Sequence, residues 1–334
     1  MFAITRRVAL ASLLATGVAS GALAQEKKTL LVAEPTHGIG YLPLYAAIAN
    51  GYFTEQGIDV KVITVDSGSG HTTAVLTGQA FAFIGGPEHN AFAKLKGGEM
   101  RAVVNVVDRG NVYFVARKGF EPKPGEKMAD YFKGKKIGVG QYSGTPNSIT
   151  RYLMKKYGLD VKSDVTLIET STAAVIATVK SGAAEIGNVS EPLIARGIKE
   201  GLWGEPFLSI PAELGPYAYS TLNVRLDSIQ KEPENVQKFV NGVVKGLKFV
   251  YANPAEATKI AKKEFPTMSE EDLFATLDRT FKDELWSKDG SISQASWDTG
   301  SSVVRDAGIL KQDVKYDEII DNSFLAAVKA QSAK

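Results

Sequence analysis

Between residues 30 and 200, short apolar runs alternate with amphipathic segments, and this alternation restricts the chain to few architectures. Residues 30–33, 60–65, 80–84 and 102–107 read as strands, and 41–50, 72–77 and 88–96 as helices, the first stopped by Gly51. Apolar strands joined by helices at this spacing predict an α/β fold in which a mostly parallel sheet is covered on both faces. A further strand at 112–116 leads into 118–126, where two prolines and two glycines mark the best linker candidate.

The same order then recurs. Strands at 135–140, 165–168 and 184–189 alternate with helices at 147–157, 173–180 and 192–199. The chain crosses back through 216–224, and 233–251, 254–264, 269–281 and 293–307 have helical periodicity with start signals. Ala74-Val75-Leu76-Thr77-Gly78, a strand and Gly85-Gly86-Pro87-Glu88 form one helix–stop–strand–loop unit. Ala177-Thr178-Val179-Lys180-Ser181-Gly182, a strand and Asn188-Val189-Ser190-Glu191 repeat it, each loop delivering a glutamate to a new helix. The repeat predicts two lobes on one plan, although a match this short also arises by chance.

Composition removes whole classes of function. A hydrophobic fraction of 44% and a charged fraction of 23% exclude disorder and fibrous repeats. The sequence has no cysteine, so disulfides, thiolate catalysis and thiolate metal sites are all excluded. Residues 1–24 carry Arg6 and Arg7, an apolar run and Ala22-Leu23-Ala24, the pattern of a secretory signal cleaved after Ala24. Without Arg6 and Arg7, basic and acidic residues balance at 37 each, and no nucleic-acid partner is expected. The apolar run is too short to span a bilayer, so the mature chain is expected free in an exported compartment, a bacterial periplasm. Thr5-Arg6-Arg7 leaves Sec and twin-arginine export both open.

In open α/β sheets, ligands gather outside the carboxyl ends of the strands. The three histidines, His37, His71 and His89, follow the first, second and third strands. Each alone is as readily a surface residue; together they predict one cleft. Ser69 and Thr72 lie in a hydroxyl-rich turn that opens a helix, and Ser143 and Thr145 lie in its counterpart. Such turns seat an anion on free N–H groups, or Thr72 and Thr145 serve as N-caps at about 1 kcal/mol each, and the two uses are compatible. Glu88 and Glu191 are helix-start acids that accept hydrogen bonds from a ligand if both face the cleft. Arg109, just past the fourth strand, is the candidate partner for a ligand carboxylate or sulfonate. Tyr217 and Tyr219, where the chain recrosses, offer an aromatic wall or hinge packing.

Other motifs fail on inspection. Gly138-Val139-Gly140-Gln141-Tyr142-Ser143-Gly144 imitates a dinucleotide fingerprint, but its spacing is one residue too long. No zinc-protease, nucleophile-elbow or phosphate-loop motif occurs. His37, His71, His89 and Glu88 are chemically able to bind a metal, but their spacing has no local signature, and neither metal nor cofactor is expected.

Tyr41-Leu42-Pro43-Leu44-Tyr45-Ala46-Ala47 and the stretch from Asn50-Gly51-Tyr52-Phe53 through Gly57-Ile58-Asp59-Val60 resemble the opening of solute-binding proteins of nitrate/sulfonate/taurine-type ABC importers. That family also includes binders of thiamine-pyrimidine precursors. Gly134-Lys135-Lys136-Ile137-Gly138-Val139, Tyr157-Gly158-Leu159-Asp160, Glu191-Pro192 and Asp321-Asn322-Ser323-Phe324-Leu325 extend the resemblance over nearly the whole mature chain. It implies a type II-like, two-lobed periplasmic-binding-protein fold with a hinge of two crossover segments, lobe 1 taking residues 25–112 plus 220–334 and lobe 2 residues 113–219. It also implies a monomer that holds a small-molecule solute between its lobes and docks on a membrane permease. The implied site comprises the loops at His37, 69–72, Glu88 and His89, 143–145 and Glu191. The expected solute is small, polar and anionic or N-heterocyclic; three histidines depart from the family's sulfonate and taurine binders, which raises N-heterocycles, carboxylates and metal-assisted anions over a simple sulfonate. Two other functions fit the scaffold: an enzyme related to thiamine-pyrimidine synthesis, with His71 or His89 as base or nucleophile, and a ligand-sensing receptor.

Overall fold

The computed structural model describes residues 28–65 and 69–332; the leader and the Ser67-Gly68 part of the first turn lie outside the described residues. Four early strands, β1 (Lys28–Glu34), β2 (Ile58–Thr64), β3 (Ala82–Gly85) and β4 (Met100–Arg109), belong to a first sheet. The next five, β5 (Tyr113–Ala116), β6 (Lys136–Gly140), β7 (Thr166–Thr170), β8 (Ile186–Val189) and β9 (Leu208–Ser209), form a second sheet. The chain then returns through β10 (Pro216–Arg225) to the first.

The strand orders are β2-β1-β3-β10-β4 and β7-β6-β8-β5-β9, the same plan twice. In each sheet three parallel strands come first, and the fourth position is filled in reverse by a strand that has just crossed between the sheets. Leu222 of β10 lies between Ile84 of β3 and Val104 of β4 in antiparallel register. Phe114 of β5 likewise lies between Asn188 of β8 and Leu208 of β9. Each sheet is thus mostly parallel, as expected, but mixed: four strands point one way and the inserted one, β10 or β5, points the other. An apolar run encodes burial on both faces but not direction, so the sequence pattern did not reveal the reversal. β10 pairs with β4 from Pro216 onward, so the 219/220 boundary drawn from sequence falls within this strand.

The helices form where their spacing predicts. Leu42–Ala49 crosses Pro233–Ala252 so closely that a Cβ on Gly246 would lie 2.2 Å from the Pro43 carbonyl oxygen, which leaves room only for glycine. Glu270–Lys282 and Gln294–Asp306 start behind Ser269 and Ser293, whose hydroxyls accept the Asp272 and Ser296 amides at 3.2 and 3.0 Å. Met128–Phe132, Ile210–Leu214, Leu226–Lys231 and Ser323–Ser332 are further helices that the periodicity did not pick out. Helix Gln294–Asp306 packs on Thr145–Lys156, and Glu270–Lys282 packs on Leu193–Lys199, so elements flanking the first sheet grip the second. Among the described residues no helix is long and apolar enough to cross a membrane.

Candidate functional site

Where the strand ends of the two sheets face each other, they enclose a cavity of about 80 Å³. The first sheet contributes Pro35, Thr36 and Gly38 after β1, His71 beyond β2, and Gly85, Gly86 and His89 after β3. The second contributes Gln141 and Thr145 after β6, Thr172 after β7, and Ser190 and Glu191 after β8. Asn111 from the outgoing crossover and Tyr219 and Ser220 from the returning strand complete the wall, with Gly40 and Tyr41 at the start of the first helix. A Cβ on Gly40 would lie 2.4 Å from Asn111 Nδ2, so this glycine lets the helix start meet the crossover.

Of the residues singled out from sequence, His71, His89, Thr145 and Glu191 line this cavity. Glu88 lies just behind it, 1% exposed, accepting the Thr145 hydroxyl across the cleft at 2.7 Å. Ser69, Thr72 and Ser143 line a neighbouring groove. His37 turns away: its Nδ1 meets Glu34 at 3.0 Å, and its ring lies 4.8 Å from both Tyr45 and Phe265. Its neighbours Pro35, Thr36 and Gly38 line the cavity instead. Arg109 pairs with protein groups, donating to the Asp108 carbonyl at 3.0 Å and lying 3.9 Å from Glu284. Tyr217 is fully buried beside Gly300 and does not reach the cavity, whereas Tyr219 does. Register shifts on both sides of Ser220 break simple alternation, so adjacent Tyr219 and Ser220 both face inward.

The electrostatics are those of a closed, weakly charged space. Burial pushes the Glu88 carboxyl up, with the neighbouring His89 and the Thr145 hydroxyl opposing. Burial also raises Glu191, against the Arg279 guanidinium, whose Nε donates to Oε1 at 2.9 Å. Thr276 and the Ala195 amide satisfy its other oxygen at 3.2 and 3.1 Å. Desolvation raises the Tyr41 phenol, which is hydrogen-bonded to Ser220. His89 Nδ1 lies 3.0 Å from the Gly86 carbonyl. A carbonyl only accepts, so Nδ1 carries a proton, and Nε2 is an acceptor whenever it carries none. That Nε2 is buried and has no hydrogen-bond partner among the described residues. The His71 and His89 rings meet edge to face, centroids 4.7 Å apart. Neither lysine nor arginine lines the cavity. Among the described residues no group of three or more His, Asp or Glu is placed to hold a metal ion.

The sequence profile of the family described as NMT1/THI5 like matches residues 39–257, which include most of these lining loops. The chain belongs to the NMT1/THI5-like family. Its relatives include YtlA of Bacillus subtilis, whose name describes it only as a binding protein, 25% identical over 90% of each chain. The riboflavin-binding protein RibY of Chloroflexus aurantiacus is 27% identical over 86% of this chain and 83% of its own. The Saccharomyces cerevisiae 4-amino-5-hydroxymethyl-2-methylpyrimidine phosphate synthase THI5 is 27% identical over 66% of each. Among solved structures, the alkanesulfonate-binding protein SsuA of Xanthomonas axonopodis superposes with a TM-score of 0.72 at 14% identity, covering 89% of this chain and 99% of SsuA. The periplasmic nitrate-binding protein NrtA of Synechocystis gives 0.70 at 14% identity, covering 92% and 90%. This NMT1/THI5-like chain thus has the two-lobed α/β periplasmic-binding-protein fold. Thr36, Tyr41, Asn111, Gln141, Thr172, Ser190 and Ser220 are polar lining residues that the sequence did not single out. Gln141 and Ser190 carried a signal, each as the first residue after an expected strand.

Proposed function

We propose that the protein is an exported receptor that closes its two lobes around a compact nitrogen heterocycle and presents it to the permease of an ABC importer. The observation that carries this reading is the lining: imidazole, phenol, amide and hydroxyl groups and the Glu191 carboxyl, drawn from both sheets, with no lysine or arginine among the described lining residues. A fully charged anion there would lack a guanidinium or ammonium partner, and Arg109 is engaged elsewhere. A heteroaromatic ring packs against Tyr41, Tyr219 and His71, donates N–H to His89 Nε2, and accepts from hydroxyl and amide donors. The printed names of RibY and THI5 also concern nitrogen heterocycles. Contacts from both lobes favour the closed form, because only differential affinity shifts an open–closed equilibrium. The leader at 1–24 supports export to the periplasm, and the crossovers around Asn111 and Gly215 serve as the hinge.

The test is thermal unfolding of residues 25–334, stripped of ligand by unfolding and refolding, against pyrimidines, flavins, sulfonates, nitrate and carboxylates. A ligand at 100 times its Kd stabilises by about 2.7 kcal/mol, a shift of several degrees. A heterocycle is expected to give that shift and to lose it in His89→Ala and Tyr219→Ala. A shift by sulfonate or nitrate alone, or one indifferent to both variants, would overturn the assignment. The bound compound recovered unchanged after incubation distinguishes a receptor from a synthase of the THI5 kind.

A further inference from the structure

Beside the cavity lies a second recess of about 670 Å³, lined by Ser69, Thr72, Leu76, His89, Phe92, Leu95, Tyr142 and Ile309 among others. The two spaces share their partition. His89 lines both; of the neighbours His71 and Thr72, the first faces the cavity and the second the groove. Gln141 and Tyr142 divide in the same way on the second sheet's side. Ser143, at this junction, takes the left-handed conformation with φ at 67°, and Tyr142 beside it is 52% exposed. The groove floor is apolar: Leu76 and Leu95 are 39% and 41% exposed, large for leucine side chains on a soluble surface. Thr72, one of its lining residues, has a buried Oγ1 with no partner among the described residues.

Size decides what the pair of spaces accommodates. Pockets that enclose a medium-sized organic ligand run to about 300–1,000 Å³. The cavity alone, at about 80 Å³, has room for a small ring, and the adjoining groove supplies the rest. We propose that the groove is a subsite for an apolar, alkyl or aryl extension of the solute whose polar ring occupies the cavity, with the edge of His89 as the passage between them. This deepens the receptor reading and rests on it.

The experiment is titration calorimetry with 4-amino-2-methylpyrimidines bearing 5-alkyl chains from methyl to hexyl, on the parent protein and on a Leu76→Asp/Tyr142→Ala variant. Both replaced side chains are exposed, and an unchanged melting midpoint verifies the variant's fold. The dye 8-anilinonaphthalene-1-sulfonate is titrated in parallel as a probe of the groove alone. In the parent, affinity is expected to climb about fourfold per added methylene, and in the variant the climb disappears. If the methyl compound binds and longer chains bind no better, the subsite is overturned while the receptor reading stands. If no pyrimidine binds but dye fluorescence rises in the parent and not in the variant, the apolar subsite stands and the choice of ring falls. If no pyrimidine binds and the dye does not distinguish the two proteins, both proposals fall.

Discussion

Glu88 shows at the scale of one residue how burial sets chemistry. Its carboxyl sits behind the cavity wall without a lysine or arginine partner among the described residues, and burial holds its proton more tightly in the folded chain than in the unfolded one. The sign follows from linkage: the folded state binds the extra proton, so stability declines as pH rises from the ordinary value of 4.5 through the raised folded value. Glu88→Gln removes this decline while keeping an acceptor for Thr145. The variant should melt above the parent at pH 7 and with it at pH 4; equal midpoints at pH 7 would show that the carboxylate is not under strain. The sequence placed Glu88 at a helix start near the cleft, but not whether it faced the ligand or lay behind glycine. Side-chain direction within a loop depends on the packing of distant segments, as His37 illustrates by stacking on Phe265. His71, His89, Thr145 and Glu191 lie in the loops and first helical turns that follow β2, β3, β6 and β8, the end of the sheets to which the sequence argument pointed.

Helices were the most legible elements, since a 3.6-residue apolar stripe and a cap are local signals. Ser293 is such a signal, with its hydroxyl receiving the Ser296 amide at 3.0 Å. Ser293→Ala should cost about 1 kcal/mol in chemical denaturation, within the range measured for lost caps. No loss would mean that water replaces the hydroxyl fully. Short elements escaped: β9 and helices such as Met128–Phe132 are held by neighbours rather than by periodicity. The irregular register of β10 also has no local signature, and it alone separates the fate of Tyr217 from that of Tyr219.

At the scale of the molecule, two buried glutamates tie the sheets together from opposite sides of the cavity. Glu88 accepts Thr145, and Glu191 accepts Arg279 and Thr276. Each of these bonds ends on a buried carboxylate, and cutting one costs about 1–3 kcal/mol of the closed arrangement. Thr145→Val and Arg279→Ala should therefore enlarge the ligand-free radius of gyration in solution X-ray scattering, while the ligand-bound radius stays that of the parent. Unchanged ligand-free scattering in both variants would mean that the helix contacts alone hold the lobes. Two lobes on one plan were readable from the repeated helix–stop–strand–loop unit. The reversed strands were not, because their partners lie far apart in sequence. That separation sets an order of assembly. Among the described residues β10 is the only strand beside β4, so a nascent chain must reach Arg225 before β4 gains a neighbour in its sheet. The second sheet needs only Tyr113 through Ser209 and is complete earlier. The half of the molecule that begins first is thus the half that finishes last, β4 waiting for β10 while the insert between the two matures.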